Sequence, residues 1–161
     1  MAFMGHCPMP PVPYRRERFD VLLPDDCLYS PSHFWLRQDE TGAWRVGFTP
    51  FAVRLRGEPG ECAITTAAGA AVATGQIVGW VEGFKAVTDL YCVADGELLG
   101  SNPDLARDAA LVKSDPFGQG WLYRVKGTPS PDCTDARGYI GVLDRTIDRL
   151  QPPAPAAGER C

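Results

Sequence analysis

Apolar and polar residues alternate in short runs over most of the chain, and glycines or prolines separate the runs. Residues 76–82 and 87–93 form two such runs, rich in β-branched and aromatic side chains, which is typical of half-buried strands. The short link between them contains Gly83, which supplies the backbone freedom that a tight turn needs. The pattern therefore predicts a β-hairpin with Lys85 at its tip.

The same alternation predicts further strands on both sides of this hairpin. Residues 33–46 are typical of a second hairpin, because a polar turn with a glycine separates two apolar runs. Thr49 followed by a proline predicts the start of a short helix. Residues 101–108 predict another short helix, and residues 121–125 predict a strand that closes the sheet. The chain is therefore predicted to be mainly β, with short helices around the strands.

The ends of the chain have a different composition. Residues 1–23 are expected to be a proline-rich N-terminal arm, irregular over 1–13 and with a short strand or helix over 14–23. Residues 151–161 are expected to be a disordered tail rich in proline and alanine. Between residues 128 and 150 we expect a linker followed by an amphipathic helix over 135–150. Its apolar residues recur at spacings of three and four: Tyr139, Ile140, Val142, Leu143, Ile147 and Leu150. The domain between these ends is expected to span residues 24–127.

Charge and cysteine usage exclude several classes of function. With 16 basic and 20 acidic residues the net charge is −4, which disfavours nucleic acid or an anionic membrane as partner. There is no apolar run of membrane-spanning length, and the first residues are unlike a signal peptide, so we expect a cytoplasmic protein. The 6 cysteines form no Cys-x-x-Cys pair, so free thiols are expected and a metal site is not.

No arrangement of catalytic side chains is evident in the sequence. The 2 histidines and the scattered carboxylates form no Ser/His/Asp pattern, and there is no glycine-rich phosphate loop. We therefore expect no catalytic residue of the chain's own. A lone lysine such as Lys85 is ordinarily a solvated charge, and only the residues around it give it another meaning.

Those residues resemble a known attachment site. The stretch Glu82-Gly83-Phe84-Lys85-Ala86 resembles the Glu-Ser-Val-Lys-Ala motif of lipoyl proteins, above all the H protein of the glycine cleavage system. Further segments resemble other parts of that family in the same order and at fitting spacing. They are residues 31–37, residues 44–52, residues 95–98, and residues 114–122 with their Asp-Pro-Phe-Gly-Gln-Gly-Trp sequence. The resemblance covers residues 24–126.

The resemblance implies a fold and a cofactor. The fold is the lipoyl type, a flattened hybrid barrel or sandwich of two antiparallel sheets with short peripheral helices. The cofactor is lipoic acid in amide linkage to Lys85, whose dithiolane cycles between disulfide and dithiol and carries an intermediate between enzymes. Glu82, Gly83 and Asp89 are the expected recognition residues for a lipoate ligase or lipoyl transferase.

Two departures bear on the pathway. H proteins of glycine cleavage usually have Ser-His-Glu-Trp in their first strand, and the resemblance implies that this glutamate lines the cleft where the methylamine-loaded arm docks. Here Ser32 and Phe34 occupy the arm-docking positions, and phenylalanine cannot pair with an ammonium. The attachment motif also has Gly83 where serine is usual.

These departures favour one branch of the family. We expect an H-protein-like lipoate-binding protein of bacterial sulfur oxidation, which serves a heterodisulfide-reductase-like complex. The alternative is an H protein that shuttles methylamine between glycine decarboxylase and its partners, dihydrolipoamide dehydrogenase included. A second alternative is a lipoyl-fold interaction protein that is never modified.

Overall fold

Short antiparallel strands make up most of the computed structural model, which describes residues 10–16, 18–57, 60–83 and 86–150. Strands and helices follow one another along the chain as β1 (Val12–Arg16), β2 (Phe19–Leu23), β3 (Leu28–Tyr29), β4 (Phe34–Gln38), β5 (Trp44–Phe48), α1 (Pro50–Arg56), β6 (Cys62–Ile64), β7 (Ala71–Val72), β8 (Ile77–Glu82), β9 (Val87–Tyr91), β10 (Ala94–Ser101), a 3-10 helix (Pro103–Ala106), α2 (Leu111–Ser114), β11 (Tyr123–Pro129) and α3 (Ala136–Leu150).

The strands form three antiparallel sheets. The largest has the order β3-β4-β5-β11-β10-β7, the second has the order β6-β8-β9, and β1 pairs only with β2. The six- and three-stranded sheets match the two sheets of the predicted lipoyl-type fold, so the mainly β prediction is confirmed.

Strand β4 is buried on both of its faces. Phe34 and Leu36 point into the larger apolar cluster, which lies between the six- and three-stranded sheets, and both are at most 1% exposed. Trp35 points the other way, into a second cluster beneath α3 and the β1–β2 hairpin, and is 0% exposed. The large sheet therefore separates two cores.

Gly47 leaves room for the Trp35 indole. The two residues are paired across β4 and β5, and a Cβ on Gly47 would lie only 2.6 Å from the Trp35 ring. Any larger residue at this position would displace the indole from the second core.

Helix α3 closes the second core, as the amphipathic pattern predicts. Its Tyr139 ring stacks on Tyr29 with centroids 4.8 Å apart, and the Tyr14 hydroxyl donates to the Asp144 carboxylate at 2.8 Å. The helix begins at Ala136, one residue after the predicted start at Asp135, whose side chain accepts a hydrogen bond from the Gly138 N–H at 2.8 Å. The helix thus belongs to the folded body of the protein.

The N-terminal segment departs from the predicted irregular arm at residues 12 and 13, which belong to β1, and over residues 14–23 the strand alternative is the one observed. From Val12 to Leu23 the chain forms a hairpin, in which Val12 and Tyr14 are buried while Pro13 and Arg15 are exposed. The alternation of buried and exposed residues therefore decides the local structure despite the prolines, because an exposed proline is tolerated in a ribbon with a single partner strand. Residues 1–9 and 151–161, which include the predicted tail, lie outside the described residues.

The helix predicted after Thr49 is α1, and its start has the expected cap. Thr49 Oγ1 accepts a hydrogen bond from the Ala52 N–H at 3.2 Å, and Pro50 occupies the first helical position.

The strand β11 runs on to Pro129, so the predicted linker before α3 starts later than expected. None of the described helices has the length and apolar character needed to cross a membrane.

The contribution of α3 to stability can be tested with two leucines on the same helix. Leu143 is 0% exposed and Leu150 is 59% exposed. We expect Leu143→Ala to lower the free energy of unfolding by about 2–5 kcal/mol, because it leaves a cavity in the second core. Leu150→Ala should change it by no more than about 0.5 kcal/mol. Urea denaturation measures both, and equal small effects would mean that α3 is not part of the core.

Candidate functional site

The strands β8 and β9 form the hairpin that the sequence predicts. Glu82 pairs with Val87, and the Gly83 N–H donates to the Ala86 carbonyl at 2.8 Å, which closes the end of the ladder. The residues between Gly83 and Ala86 are Phe84 and Lys85, and both lie outside the described residues. The described chain therefore fixes the two ends of the link that contains the predicted attachment lysine.

The predicted recognition residues come together on this hairpin. Glu82 is exposed, and its Oε1 accepts a hydrogen bond from the Glu61 N–H at 3.1 Å on the neighbouring strand segment. Asp89 is also exposed and lies opposite Trp80 in the ladder. Exposed carboxylates on both strands are thus available to an enzyme that recognises the hairpin.

Gly83 has a steric reason to be a glycine. A Cβ at this position would lie 2.8 Å from the Arg56 carbonyl oxygen at the end of α1. The usual serine of the motif would therefore collide with the backbone of α1. The missing side chain lets the helix and the hairpin approach each other closely.

Apolar side chains are exposed along the same hairpin. Ile77 and Tyr91, which pair across β8 and β9, are 49% and 41% exposed, and Val87 is 62% exposed. Exposed apolar side chains and exposed carboxylates thus occur together on this hairpin.

The two predicted arm-docking residues do not share a surface. Ser32 is exposed, and its hydroxyl lies 2.9 Å from the Ser30 hydroxyl. Phe34 is in the larger core, where its ring stacks on Phe48 with centroids 5.2 Å apart. Its side chain is fully enclosed, so Phe34 can shape a cleft only through the residues that cover it.

Arg56 lies over one ring of this stack. Its guanidinium carbon lies 4.7 Å from the centroid of the Phe48 ring. Its Nε is buried without a hydrogen-bond partner, and burial lowers the pKa of the guanidinium. An arginine remains protonated at neutral pH even so, so a positive charge lies over the Phe48 ring.

His33 lies in a buried hydrogen-bond network beside this charge. Its Nδ1 is 2.8 Å from the Tyr139 hydroxyl, which in turn lies 2.9 Å from Thr49 Oγ1. Burial, with a contribution from the Arg56 charge, lowers the pKa of His33 to about 4. His33 is therefore neutral at neutral pH and links α3 to the start of α1.

Sequence reasoning missed Arg56 for a physical reason. It stands in the last turn of α1, where a basic residue is ordinary because it complements the helix dipole. Only the packing of α1 against Gly83 brings it to the hairpin, and that packing is not encoded locally. The glycine at position 83 was the one available signal that another backbone comes close.

Other chemistry is limited within the part of the chain that the structure describes. No group of three or more His, Cys, Asp or Glu side chains there could hold a metal ion. Cys27, Cys62, Cys92 and Cys133 are free thiols, and burial raises the pKa of each, to about 12 for Cys27. Protonated buried thiols are poor nucleophiles. Cys7 and Cys161 lie outside the described residues.

Comparisons with known proteins give one consistent result. A family profile described as "Glycine cleavage H-protein" matches residues 27–135. The glycine cleavage system H protein of Pseudoalteromonas atlantica is 35% identical over 125 residues, which cover 76% of this chain and 96% of that protein. The corresponding protein of Corynebacterium jeikeium is 36% identical over 120 residues, 73% of this chain and 94% of that one.

The fold comparison agrees with the sequence comparison. A crystal structure of a glycine cleavage system H protein from Mycobacterium marinum superimposes with a TM-score of 0.67 at 31% sequence identity. The match covers 76% of this chain and 99% of that one. The remainder of this chain lies beyond the length of these relatives.

The buried histidine predicts a pH dependence of stability. Between about pH 6.5 and pH 4 His33 is protonated in the unfolded chain and neutral in the folded chain. The free energy of unfolding should therefore fall as the pH drops through this window, by up to about 3 kcal/mol from this group. Denaturant titrations at several pH values measure it.

The matched variant is His33→Asn. Asparagine tolerates the backbone of this position, whose φ is 72°, and carries no titrating proton. The stability of the unmutated chain minus that of this variant should fall as the pH drops from about 6.5 to 4, and should be constant outside that window. A constant difference across that window would contradict the buried neutral histidine.

Proposed function

We propose, since the chain belongs to the glycine cleavage H-protein family, that it is a lipoyl carrier protein whose arm is attached to Lys85. The observation that carries the proposal is the closed β8–β9 hairpin, whose link contains the motif lysine. Exposed Glu82 and Asp89 flank that link. Bound lipoate supplies a dithiolane that cycles between disulfide and dithiol and holds an intermediate.

The chain's own residues provide a fixed base for the arm. The β8–β9 ladder and the Gly83–Ala86 hydrogen bond hold both ends of the link, and α1 packs against Gly83. A site on paired strands is positioned more accurately than one on a free loop. The flexibility needed to visit several enzymes then resides in the arm.

We further propose that Glu82, Gly83 and Asp89 are the recognition surface for a lipoate ligase or lipoyl transferase. The two carboxylates are exposed on one hairpin, and Gly83 removes a side chain that would otherwise stand beside the lysine. The carrier itself performs no catalysis in this proposal. Its partners supply the chemistry, with dihydrolipoamide dehydrogenase reoxidising the dithiol.

The comparisons favour glycine cleavage as the pathway, because the relatives described above are all H proteins of that system. In that case the arm carries methylamine and the partner is glycine decarboxylase. The assignment draws its support from the family as a whole. It does not depend on the side chains around the arm of this particular chain.

A second pathway is supported by one specific observation. The position that usually holds a glutamate is Phe34, which is enclosed in the core and cannot pair with an ammonium. This observation speaks against docking of a methylamine-loaded arm at that position. It leaves a role in oxidative sulfur metabolism with a heterodisulfide-reductase-like complex as the second proposal.

An exchange assay separates the two pathways. Lipoylated protein is incubated with glycine decarboxylase, glycine and labelled bicarbonate, with an H protein from a glycine cleavage system as the positive control. Turnover comparable to that control would favour glycine cleavage. No turnover in a fully lipoylated sample would favour the second pathway.

The proposed division of the chain follows from the same argument. We propose that residues 24–127 form the lipoyl domain and that residues 1–23 and 128–150 are additions to it. The hairpin β1–β2 and the helix α3 support this, since both cover the face of the large sheet that carries Trp35. Residues 151–161 would follow as a tail.

The attachment site gives a direct prediction. Expression in a host with lipoylating enzymes should give lipoyl on Lys85 and leave Lys113 and Lys126 unmodified. Lys113 and Lys126 lie outside the motif, in α2 and β11 respectively. Peptide mass spectrometry measures all three positions, and Lys85→Arg should abolish the mass shift.

The same measurement can contradict the proposal. An unmodified Lys85 in a host that lipoylates a control H protein would mean that the chain is not a carrier. The remaining interpretation would then be an interaction protein that has the lipoyl fold without the cofactor. Modification of Lys113 or Lys126 instead would refute the attachment site alone.

A further inference from the structure

We propose that the pocket between α3 and the turn before β4 is a binding site for a phosphate group. The pocket has a volume of about 450 Å³. Its polar lining includes His33 from the turn, Asp132 from the segment before α3, and Arg145, Thr146 and Arg149 from the helix itself. The inference goes beyond the proposed function and does not depend on a lipoyl arm. Three observations on the described residues support it.

The first observation is a pair of arginines one turn apart on α3. Arg145 and Arg149 both line the pocket and are exposed. Residues four positions apart lie on the same face of a helix. The Arg145 guanidinium lies along this face toward the start of the helix, because its Nη1 is 3.4 Å from the place that a Cβ on Gly141 would occupy. Two guanidiniums, the side chains best suited to phosphate oxygens, therefore border one pocket.

The second observation is the charge balance of the pocket. The carboxylates of Asp144 and Asp148 pair with Arg16 of β1, where the helix meets the N-terminal hairpin. Among the residues that the structure describes, neither pocket arginine forms an ion pair. Asp132 is the single carboxylate of the described lining, and His33 is neutral at neutral pH. Two guanidiniums against one carboxylate leave a net positive charge that is free to attract an anion.

The third observation is a buried nitrogen that faces the pocket. His33 is only 7% exposed. Its Nδ1 is 2.8 Å from the Tyr139 hydroxyl, whereas its Nε2 is 3.5 Å from Thr146 Oγ1. Thr146 lines the pocket and Tyr139 does not, so Nε2 is the nitrogen on the pocket side. The nitrogen that faces the pocket is thus the one with the long contact to the protein.

The surrounding hydrogen bonds favour a proton on this nitrogen. The Thr146 hydroxyl donates to the Val142 carbonyl at 2.7 Å, so its oxygen is left as an acceptor toward His33. A neutral imidazole has one N–H, and with that proton on Nε2 the other nitrogen accepts from the Tyr139 hydroxyl. At 3.5 Å the N–H is poorly satisfied for a buried donor. An oxygen of a ligand in the pocket would satisfy it.

The arrangement of donors indicates the class of ligand. Arg145 and Arg149 belong to α3, whereas His33 belongs to the opposite wall of the pocket. Donors on two walls suit a ligand with several acceptor oxygens that point in different directions. A phosphate has more such oxygens than a carboxylate and, at neutral pH, more negative charge. The free ion and the phosphate of a small ester share this chemistry.

A titration followed by NMR tests the inference. The full-length chain, labelled with nitrogen-15, is titrated at neutral pH with inorganic phosphate, glycerol 3-phosphate or acetate, and sodium chloride keeps the ionic strength constant. The His33 imidazole and the Thr146 amide report on the pocket. The chain has 2 histidines, so the His33→Asn spectrum assigns the imidazole signals.

We expect both phosphates to give saturable shifts of the His33 and Thr146 signals, and acetate to give none that saturate. The tighter of the two phosphates identifies the source as the free ion or an ester. Before any ligand is added, the nitrogen shifts of His33 should show the proton on Nε2. Arg145→Gln and Arg149→Gln should each weaken phosphate binding about fivefold, since each removes one exposed charged contact.

Arg137→Gln is the matched control. Arg137 is on the same helix and is exposed, but it does not line the pocket. Its replacement removes the same charge from α3 and should leave phosphate binding unchanged. Because the three ligands are compared on the unmutated chain first, a variant that fails to fold does not remove the test.

Three results would overturn the site. The first is a set of shifts that are equal for phosphate and acetate or rise without saturation. The second is equal weakening by Arg137→Gln and the two pocket variants, which would mean attraction to the charge of the helix as a whole. The third is a proton on Nδ1 of His33 in the ligand-free chain, which would remove the donor. None of these results bears on the carrier proposal, which is tested at Lys85.

Discussion

Burial of strand β4 on both faces is the constraint on which the rest of the structure depends. Phe34, Trp35 and Leu36 are consecutive, yet each is at most 1% exposed. Since neighbouring side chains of a strand point to opposite faces, two separate layers must cover this strand. The three-stranded sheet covers one face, and α3 with the N-terminal hairpin covers the other. The terminal segments are therefore part of the fold, because without them a tryptophan and its neighbours would face water.

The same constraint positions the functional hairpin. The register of β4 on β5 places Phe48 opposite Phe34, and Thr49 follows at once as the cap of α1. The helix then ends at Arg56, where its backbone meets Gly83. A strand that is buried on both faces thus fixes the start of α1. The end of α1 in turn packs against the base of the hairpin that contains the proposed attachment site. Tyr139 adds a second connection, since its hydroxyl joins α3 to both His33 and Thr49.

Features encoded over a few residues could be predicted from the sequence, whereas those that arise from packing could not. The Thr49-Pro50 cap, the β8–β9 hairpin and α3 follow from local chemistry, and the structure contains all three. The strand at Val12 was missed because proline content outweighed the alternation of buried and exposed residues. At the site, the motif indicates Lys85 from neighbouring residues alone. Arg56 is far from the motif in sequence, and only the close approach of two backbones brings it to the hairpin.

The contrast between Arg54 and Arg56 shows that burial, and not charge alone, decides how an arginine is solvated. Both lie over aromatic rings on one helix. An exposed guanidinium is hydrated and screened, and its ion pairs contribute about 0–1 kcal/mol. Nε of Arg56 is buried without a hydrogen-bond partner, so part of the solvation that an exposed guanidinium keeps is absent there. Folds of one family share the scaffold and the attachment site, while function depends on such individual side chains.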